Sequence, residues 1–107
     1  MDHLDQPRMT IPTRRVLEAL LDTDERYGAD IGAATQLPSG TVHPILARLE
    51  GLDWVSSRWE DVDPAEAGRP ARRYYRLTRD GRDRARAALA RARERYSGPA
   101  RLGGVVS

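Results

Sequence analysis

Several features common in small proteins are missing from this sequence of 107 residues. It has no cysteine, which excludes disulfides and thiolate metal sites and is typical of a reducing compartment. No apolar run is long enough to cross a membrane, and residues 1–10 have neither the basic nor the apolar region of a signal peptide. These absences lead us to expect a cytoplasmic protein without membrane association.

Large apolar side chains are also scarce. Aromatic residues make up 6% of the chain, and much of the remaining apolar content is alanine. A chain of this length forms one domain, and so few large side chains give it a thin core. Oligomerisation commonly stabilises such a domain, so we expect it here.

Charge is distributed unevenly, although the formal net charge is only +2. All 18 basic residues are arginine. Residues 1–66 contain 6 arginines and 13 acidic residues, whereas residues 67–96 contain 11 arginines and 3 acidic residues. A basic segment of this kind indicates a polyanion-binding surface, and a solvated basic helix explains it equally well.

The first half of the chain predicts three helices. The first covers residues 10–21, because Pro12 suits a first helical turn and apolar residues then recur at helical spacing. A polar break separates it from a shorter helix over residues 29–36. Residues 37–39 make a tight corner into a third helix, residues 39–50. Two short helices joined by such a corner predict a helix-turn-helix.

The third helix has two contrasting faces. One face gathers an apolar stripe at helical spacing: Val42, Ile45, Leu46 and Leu49. The opposite side is small and nearly uncharged, unlike an ordinary solvated helix face: Gly40, Thr41, His43, Pro44, Ala47 and Arg48. We expect Ser39 to cap the N-terminus and Gly51 to end the helix in a left-handed turn. A helix of this shape can enter a groove.

Residues 54–60 and 72–78 alternate in character and predict two antiparallel strands joined by a long loop. A strand, a long loop and a return strand directly after a helix-turn-helix describe a winged helix. Arg69 lies near the tip of this wing, and Arg72 and Arg73 lie at the root of the return strand, where arginine can enter a narrow minor groove. The outgoing half carries acids that would repel phosphate: Glu60, Asp61, Asp63 and Glu66.

Thr78 is placed to cap a last helix over residues 79–96. Its apolar residues fall within a stripe about 100° wide, as in a packed helix face. They are Ala85, Ala88, Leu89, Ala92 and Tyr96. We favour a dimer seam for this stripe, because two-fold symmetry matches palindromic operators; the alternative is packing against the chain's own first helix.

Three segments together resemble the PadR-type winged-helix transcriptional regulators: YGADIG, LPSGTVHPILARLEGLDWVSSRWED and GRPARRYYRLTRDG. The resemblance covers about residues 10–96, and the length resembles the short subgroup with a single C-terminal helix. Two positions depart from the family pattern. His43 stands where the family commonly has tyrosine, and Asp53 stands where it often has glycine.

The residues and the resemblance together predict an α+β, mostly α, fold: a winged helix-turn-helix with three helices and a two-stranded wing, plus a C-terminal dimerisation helix. The predicted organisation is a flexible leader over residues 1–9, a DNA-binding domain over 10–78, a dimerisation helix over 79–96 and a flexible tail over 97–107. The resemblance implies a bacterial, nucleoid-associated regulator, commonly a repressor, that binds double-stranded DNA as a homodimer. Some members respond to phenolic acids or hydrophobic drugs, and this sequence names no effector.

We expect the homodimer to present two copies of helix 39–50 to successive major grooves. The predicted DNA contacts are Ser39, Gly40, Thr41, His43, Pro44, Arg48, Arg69, Arg72 and Arg73. Amides and hydroxyls of the first helical turn would bind phosphates. In the alternative interpretations Ser39 only caps the helix, and Arg48 pairs on the surface with Glu50 or Asp53. We assign four aromatic residues to core and sheet packing: Trp54, Trp59, Tyr74 and Tyr75.

Other classes of function fit the sequence less well. Two histidines, no cysteine, no phosphate-binding loop and no paired carboxylates argue against an enzyme, so we expect no catalytic residue and no cofactor. A metal-sensing repressor would need a Cys/His cluster, so no metal site is expected. The main alternative is a winged-helix protein–protein adaptor that does not bind specific DNA.

Overall fold

A computed structural model of the chain describes the backbone of residues 6–106 and the side chains of residues 6–95. Within this part, the fold consists of five helices and a small antiparallel sheet of three strands, which confirms the predicted α+β, mostly helical class. In chain order the elements are α1 (Ile11–Leu21), β1 (Arg26–Tyr27), α2 (Gly28–Thr35), α3 (Ser39–Gly51), β2 (Val55–Trp59), α4 (Pro64–Ala67), β3 (Arg73–Leu77) and α5 (Arg79–Val106).

The helix-turn-helix forms where the sequence predicts it. Thr10 caps α1, since its hydroxyl oxygen accepts the Thr13 N–H at 3.3 Å, and Pro12 occupies the first turn. The inner faces of α1, α2 and α3 pack into one core around Leu17, Ile31 and Leu46, each no more than 1% exposed. The apolar stripes of these helices are therefore buried in the core, as their spacing predicts.

The sheet contains one strand more than the sequence predicts. β2 and β3 pair antiparallel, with Val55 opposite Leu77 and Trp59 opposite Arg73. β1 adds to the free edge of β3. Because β1 has only two residues in a polar segment, it has no alternation that a sequence pattern could reveal.

The loop of the wing also contains structure that the sequence does not predict. Asp63 caps the short helix α4, because its Oδ1 accepts the Ala65 N–H at 3.0 Å. Gly68 ends α4 with a φ of 71°, a left-handed conformation that glycine adopts without steric strain. This turn shortens the loop and directs the chain into β3.

A tight junction joins the end of α3 to the start of α5. The Thr78 hydroxyl donates to the Asp53 carbonyl at 2.8 Å and accepts the Gly81 N–H at 2.8 Å, so Thr78 caps α5 as expected. A Cβ on Gly81 would lie only 2.0 Å from the Trp54 carbonyl oxygen. Only glycine fits at this position without displacing the backbone.

The structure contradicts the predicted dimer seam on α5. Four of its residues are already buried within the same chain: Ala85 and Ala92 at 0%, Ala88 at 2% and Leu89 at 5% exposure. This half of α5 packs against α1, where Arg93 pairs with Glu18 at 3.6 Å. Alanine permits such a close helix approach, but a stripe of alanines does not specify which helix it meets. The side chain of Tyr96 lies outside the described residues.

Both ends of the chain differ from the predicted boundaries. Residues 1–5 of the predicted leader lie outside the described part, but Pro7 is buried and Met9 packs against the core. α5 continues to Val106 instead of ending at residue 96, although Gly98 and Pro99 both disfavour a helix interior. Among the described residues, no helix combines the length and apolarity that membrane crossing requires.

Candidate nucleic-acid interface

The first turn of α3 differs from the sequence prediction in its cap. Pro38 occupies the capping position, and its carbonyl accepts the Thr41 N–H at 2.9 Å and the Val42 N–H at 3.1 Å. Ser39 is the first helical residue and makes no capping hydrogen bond. The prediction that Ser39 caps the helix is therefore wrong, because the tight corner places the extended φ/ψ of the cap one residue earlier.

The end of α3 also corrects an expectation. Gly51 still belongs to the helix, and the left-handed residue is Asp53, with a φ of 63°. This is the position at which the resembled family often has glycine. A left-handed turn therefore does follow α3, but an aspartate forms it two residues later than expected, and aspartate tolerates this region better than most residues.

The two faces of α3 are as distinct as the sequence predicts. Val42, Leu46 and Leu49 are buried in the core, and Ile45 packs against it. The opposite face is exposed along its length and comprises Ser39, Gly40, His43, Pro44, Ala47 and Arg48, with Thr41 half-buried at its edge. Small side chains on this face would let the helix backbone approach a binding partner closely.

The two edges of this exposed face meet different parts of the fold. On one edge, the ring of His43 lies beside the start of α2, where a Cβ on Gly28 would be 3.4 Å from His43 Cε1. On the other edge, Arg48 shares a groove with the segment that precedes α1. The exposed face of α3 is thus bordered by α2 on the His43 side and by residues 7–10 on the Arg48 side.

Arg48 does not form the surface pairs that were considered for it. The Glu50 carboxylate instead accepts the Ser57 hydroxyl at 2.6 Å and contacts Arg73 Nη2 at 3.4 Å. Among residues 6–95, the side chain of Arg48 has no hydrogen bond or ion pair, and it is exposed. Its guanidinium is free to bind an external anion.

Arg69 is held by Glu60, one of the wing carboxylates expected to repel phosphate. Its Nη1 and Nη2 donate to the two oxygens of Glu60 at 2.7 and 3.1 Å. The Arg72 backbone N–H donates to the same carboxylate at 3.2 Å. The Arg69 hydrogen bonds, assisted by that N–H, lower the pKa of Glu60 to about 2. Glu60 therefore remains charged and fixes Arg69 at the wing loop.

The other two wing arginines are held by aromatic rings and a hydroxyl. The Arg73 guanidinium donates to Ser57 Oγ at 2.8 and 3.0 Å and lies 5.6 Å from the centre of the Trp59 ring. The Arg72 guanidinium lies 4.2 Å above the Tyr27 ring. All three predicted wing arginines thus have an internal partner that orders the side chain.

Trp59 is exposed, which contradicts its predicted place in core packing. Its side chain is 62% exposed, whereas Trp54 is 1% exposed. Trp59 lines an open groove of about 490 Å³ between the wing and the start of α2, together with Gly28, Pro70 and Arg73. Trp59 lies on the same strand face as the buried Val55, so no local sequence pattern indicates this exposure.

The exposed face of α3, the groove at Gly28 and the three wing arginines form one continuous surface, which we call the α3–wing surface. His43 connects its two halves through Gly28, and Glu50 connects them through Arg73. Three carboxylates of the wing loop remain exposed beside it: Asp61, Asp63 and Glu66. The described residues contain no group of acidic or histidine side chains that could hold a metal ion.

A tight corner between α2 and α3, followed directly by a two-stranded wing, defines a winged helix-turn-helix protein. The sequence model described as "Transcriptional regulator PadR-like family" matches residues 16–87. The chain therefore belongs to the PadR-like family of transcriptional regulators, which are not enzymes. A comparison with curated proteins gives no match.

Solved structures of several regulators are similar to this chain. Reduced AbfR bound to DNA is 26% identical with a TM-score of 0.61, over 76% of this chain and 54% of AbfR. BpsR of Bordetella bronchiseptica is 24% identical with a TM-score of 0.64, over 80% and 57%. ZitR of Lactococcus lactis, in a mutant form, is 16% identical with a TM-score of 0.67, over 94% and 64%. The chain thus spans about half to two thirds of the length of these proteins, and the two at lower identity support the fold alone.

Proposed function

We propose that the chain is a sequence-specific, double-stranded DNA-binding repressor that acts as a homodimer on a palindromic operator. The observation that carries the proposal is the exposed face of α3, which is small, nearly uncharged and continuous with the ordered arginines of the wing. An α-helix is about as wide as the major groove, so a helix with such a face can lie deep within it. AbfR, one of the similar structures, is bound to DNA.

In this proposal the residues have different roles. Pro44 and Ala47 meet base edges at close range, and His43 offers a ring nitrogen to a base or phosphate. The amides and hydroxyls of residues 39–41 bind phosphate at the start of the helix, where Ser39 is free because it does not cap the helix. Arg69, Arg72 and Arg73 contact the backbone from the wing, and Trp59 packs beside them.

A homodimer is proposed because one α3 reads only half of an operator, and two-fold symmetry places a second α3 in the next major groove. The buried residues of α5 do not supply the seam, so the second copy associates elsewhere. Sedimentation equilibrium tests this part of the proposal: we expect twice the chain mass at micromolar concentration. A monomer at all concentrations would contradict it.

Selection of genomic fragments by the purified protein tests the DNA-binding proposal itself. We expect enrichment of a palindromic sequence and an affinity that falls steeply with salt, because bound arginines release counterions from DNA. A folded protein that enriches no sequence would contradict the proposal and favour the adaptor function.

Regulation by an effector extends this proposal. The BpsR structure concerns regulation of its DNA binding by 6-hydroxynicotinic acid, and we propose that a small molecule likewise releases this chain from its operator. Footprinting of the enriched sequence with and without a small-molecule cell extract tests the extension. We expect the footprint to weaken with extract, and an unchanged footprint under all extracts would contradict effector control.

A further inference from the structure

A second basic feature borders α3 on the side away from the wing. A groove of about 260 Å³ separates the segment before α1 from the recognition helix. Arg8 lines it on one side and Arg48 on the other, with Pro44 and Ile45 between them. Arg8 belongs to the predicted leader of residues 1–9, for which the sequence indicates no role.

The fold fixes the position of Arg8 in this groove. Pro7, directly before it, is buried, and Met9, directly after it, packs against the core. Thr10 then caps α1. The backbone of this segment is therefore anchored on both sides of Arg8, while the Arg8 side chain itself is exposed.

Arg8 and Arg48 also differ from the wing arginines in their partners. Within residues 6–95, neither side chain makes a hydrogen bond or an ion pair or stacks on an aromatic ring. Arg69, in contrast, is bound by Glu60, and Arg73 is bound by Ser57 and Glu50. Two unneutralised guanidinium groups that flank a groove repel each other unless an anion lies between them or beside them. The DNA of the proposed function carries such anionic groups along its backbone.

The geometry of the DNA major groove indicates which part of the DNA would bind Arg8 and Arg48. The major groove is about 12 Å wide and is bounded by two phosphate backbones, and a helix with its side chains is about 10–12 Å in diameter. A helix in the groove therefore presents each of its edges to one backbone. On α3 the His43 edge faces α2 and the wing, and the opposite edge carries Arg48 beside Arg8.

We infer that Arg8 and Arg48 form a phosphate clamp that binds the DNA backbone on the side of α3 opposite the wing. The segment before α1 is thereby part of the DNA-binding surface, and it binds DNA without regard to base sequence. This inference rests on the proposed function, since it assigns a further contact to the same surface.

Four variants of the full-length protein test the clamp, with the selected operator duplex as the probe. Arg8→Ala and Arg48→Ala remove one member each, and a double variant removes both. Arg15→Ala is the matched control, because Arg15 is exposed on α1 but does not line this groove. The measurements are the dissociation constant and its salt dependence, with the denaturation midpoint as a check on folding.

We expect Arg8→Ala to weaken binding roughly three- to tenfold on operator and unrelated duplexes alike, and to lower the slope of log affinity against log salt by about 0.9, the value for one phosphate contact. The double variant should lower that slope by about twice as much. Arg8→Lys should restore most of the slope, since it keeps the charge. Arg15→Ala should leave both quantities unchanged.

The outcomes separate the clamp from the proposed function. An Arg8→Ala protein with the affinity and salt slope of Arg15→Ala overturns the clamp, while specific operator binding by the wild type leaves the proposed function intact. If the wild-type protein itself shows no salt-dependent DNA binding, the proposed function fails and the clamp fails with it. A loss of affinity that Arg8→Lys does not restore would also overturn the clamp, because it would indicate a structural role for Arg8.

Discussion

The wing and the recognition helix meet the same proposed ligand with opposite kinds of surface. Each wing arginine is already held by a neighbour: Arg69 by Glu60, Arg72 by the Tyr27 ring and Arg73 by Ser57. The exposed face of α3 has no such side-chain network. Ordering a long side chain on binding costs about 0.5–1.5 kcal/mol. The partners of the wing arginines lower this cost in advance, whereas the short side chains on the face of α3 have little freedom to lose.

The internal partners of the wing also limit what it can contribute. Glu60 neutralises Arg69, so a phosphate beside Arg69 meets a pair with almost no net charge. Arg73 shares its guanidinium with Glu50, which likewise reduces its pull on a phosphate. We therefore expect the wing to orient the protein on DNA and to contribute modest affinity. We expect α3 to determine most of the preference for particular DNA sequences.

The most severe test of this comparison is a carboxylate on the bare helix face. Ala47→Glu places a negative charge where α3 would enter the major groove, and like charges at an interface cost several kcal/mol, so affinity should fall by about a hundredfold or more. Stability should hardly change, because Ala47 is exposed and glutamate is a good helix former. Fluorescence anisotropy with an operator duplex measures the effect.

Ala87→Glu is the matched control for this substitution, because Ala87 is an exposed alanine on α5, away from the α3–wing surface. It should retain most of the wild-type affinity. Equal losses of DNA affinity in the two variants would show that added negative charge acts from anywhere on the protein. Such a result would contradict the proposed contact between the α3 face and DNA.

Removal of wing charge should have a smaller effect. Arg72→Ala combined with Arg73→Ala should weaken binding about tenfold for all sequences and lower the salt slope by up to about 1.8, the value for two phosphate contacts. His43→Ala should instead change the ranking of operator variants. The measurement is a set of binding isotherms on single-base variants at several salt concentrations, and a wing variant that changes the ranking would reverse the division of roles.

The turn between α3 and the wing can be tested by its effect on the free energy of unfolding. Asp53 has a φ of 63°, and a left-handed conformation costs a non-glycine residue roughly 1–2 kcal/mol, most of all a β-branched one. Aspartate already bears part of this cost, so Asp53→Val should lower the free energy of unfolding by no more than about 1–2 kcal/mol, whereas Asp53→Gly should not lower it. Urea denaturation measures both, and equal loss in the two variants would show that the aspartate side chain, rather than the backbone, matters.

The smallest expected effect is a titration. The folded-state pKa of Glu60 is about 2, below its ordinary value of 4.5, so its ion pair with Arg69 is fully formed above about pH 4.5 and is lost as the pH falls through about 2. The Arg69→Met variant should raise the pKa of Glu60 toward the ordinary value, because the Arg69 hydrogen bonds are the main cause of the shift. NMR of the labelled carboxyl carbons follows this change, and an unaltered Glu60 pKa would show that Arg69 does not bind it in solution.

The periodic parts of the fold were predictable from the sequence, and the partnerships between elements were not. The stripe of α3 and the alternation of β2 and β3 reflect burial on one face, so spacing alone identifies them. The alanines of α5 indicate a packed face but not its partner, which proved to be α1. β1 and α4 are too short for any period, and the exposure of Trp59 depends on where the core ends.

The candidate site was predictable to the same extent. The residues of the bare α3 face follow from the position of the buried stripe, and the structure places Gly40, His43, Pro44, Ala47 and Arg48 on it. The pairing of Arg69 with Glu60 joins residues nine positions apart across a loop, and the meeting of Arg8 with Arg48 depends on how the chain approaches α1. Contacts of this kind depend on tertiary structure and leave no local pattern.

The close approach of Gly81 to Trp54 has a mechanical consequence. The carbonyl oxygen of Trp54 fills the space that a side chain on α5 would need, and Thr78 binds the same turn through the Asp53 carbonyl. The first turn of α5 is therefore held rigidly against the turn that ends α3. A displacement of the start of α5 therefore reaches the end of the recognition helix without an intervening flexible loop.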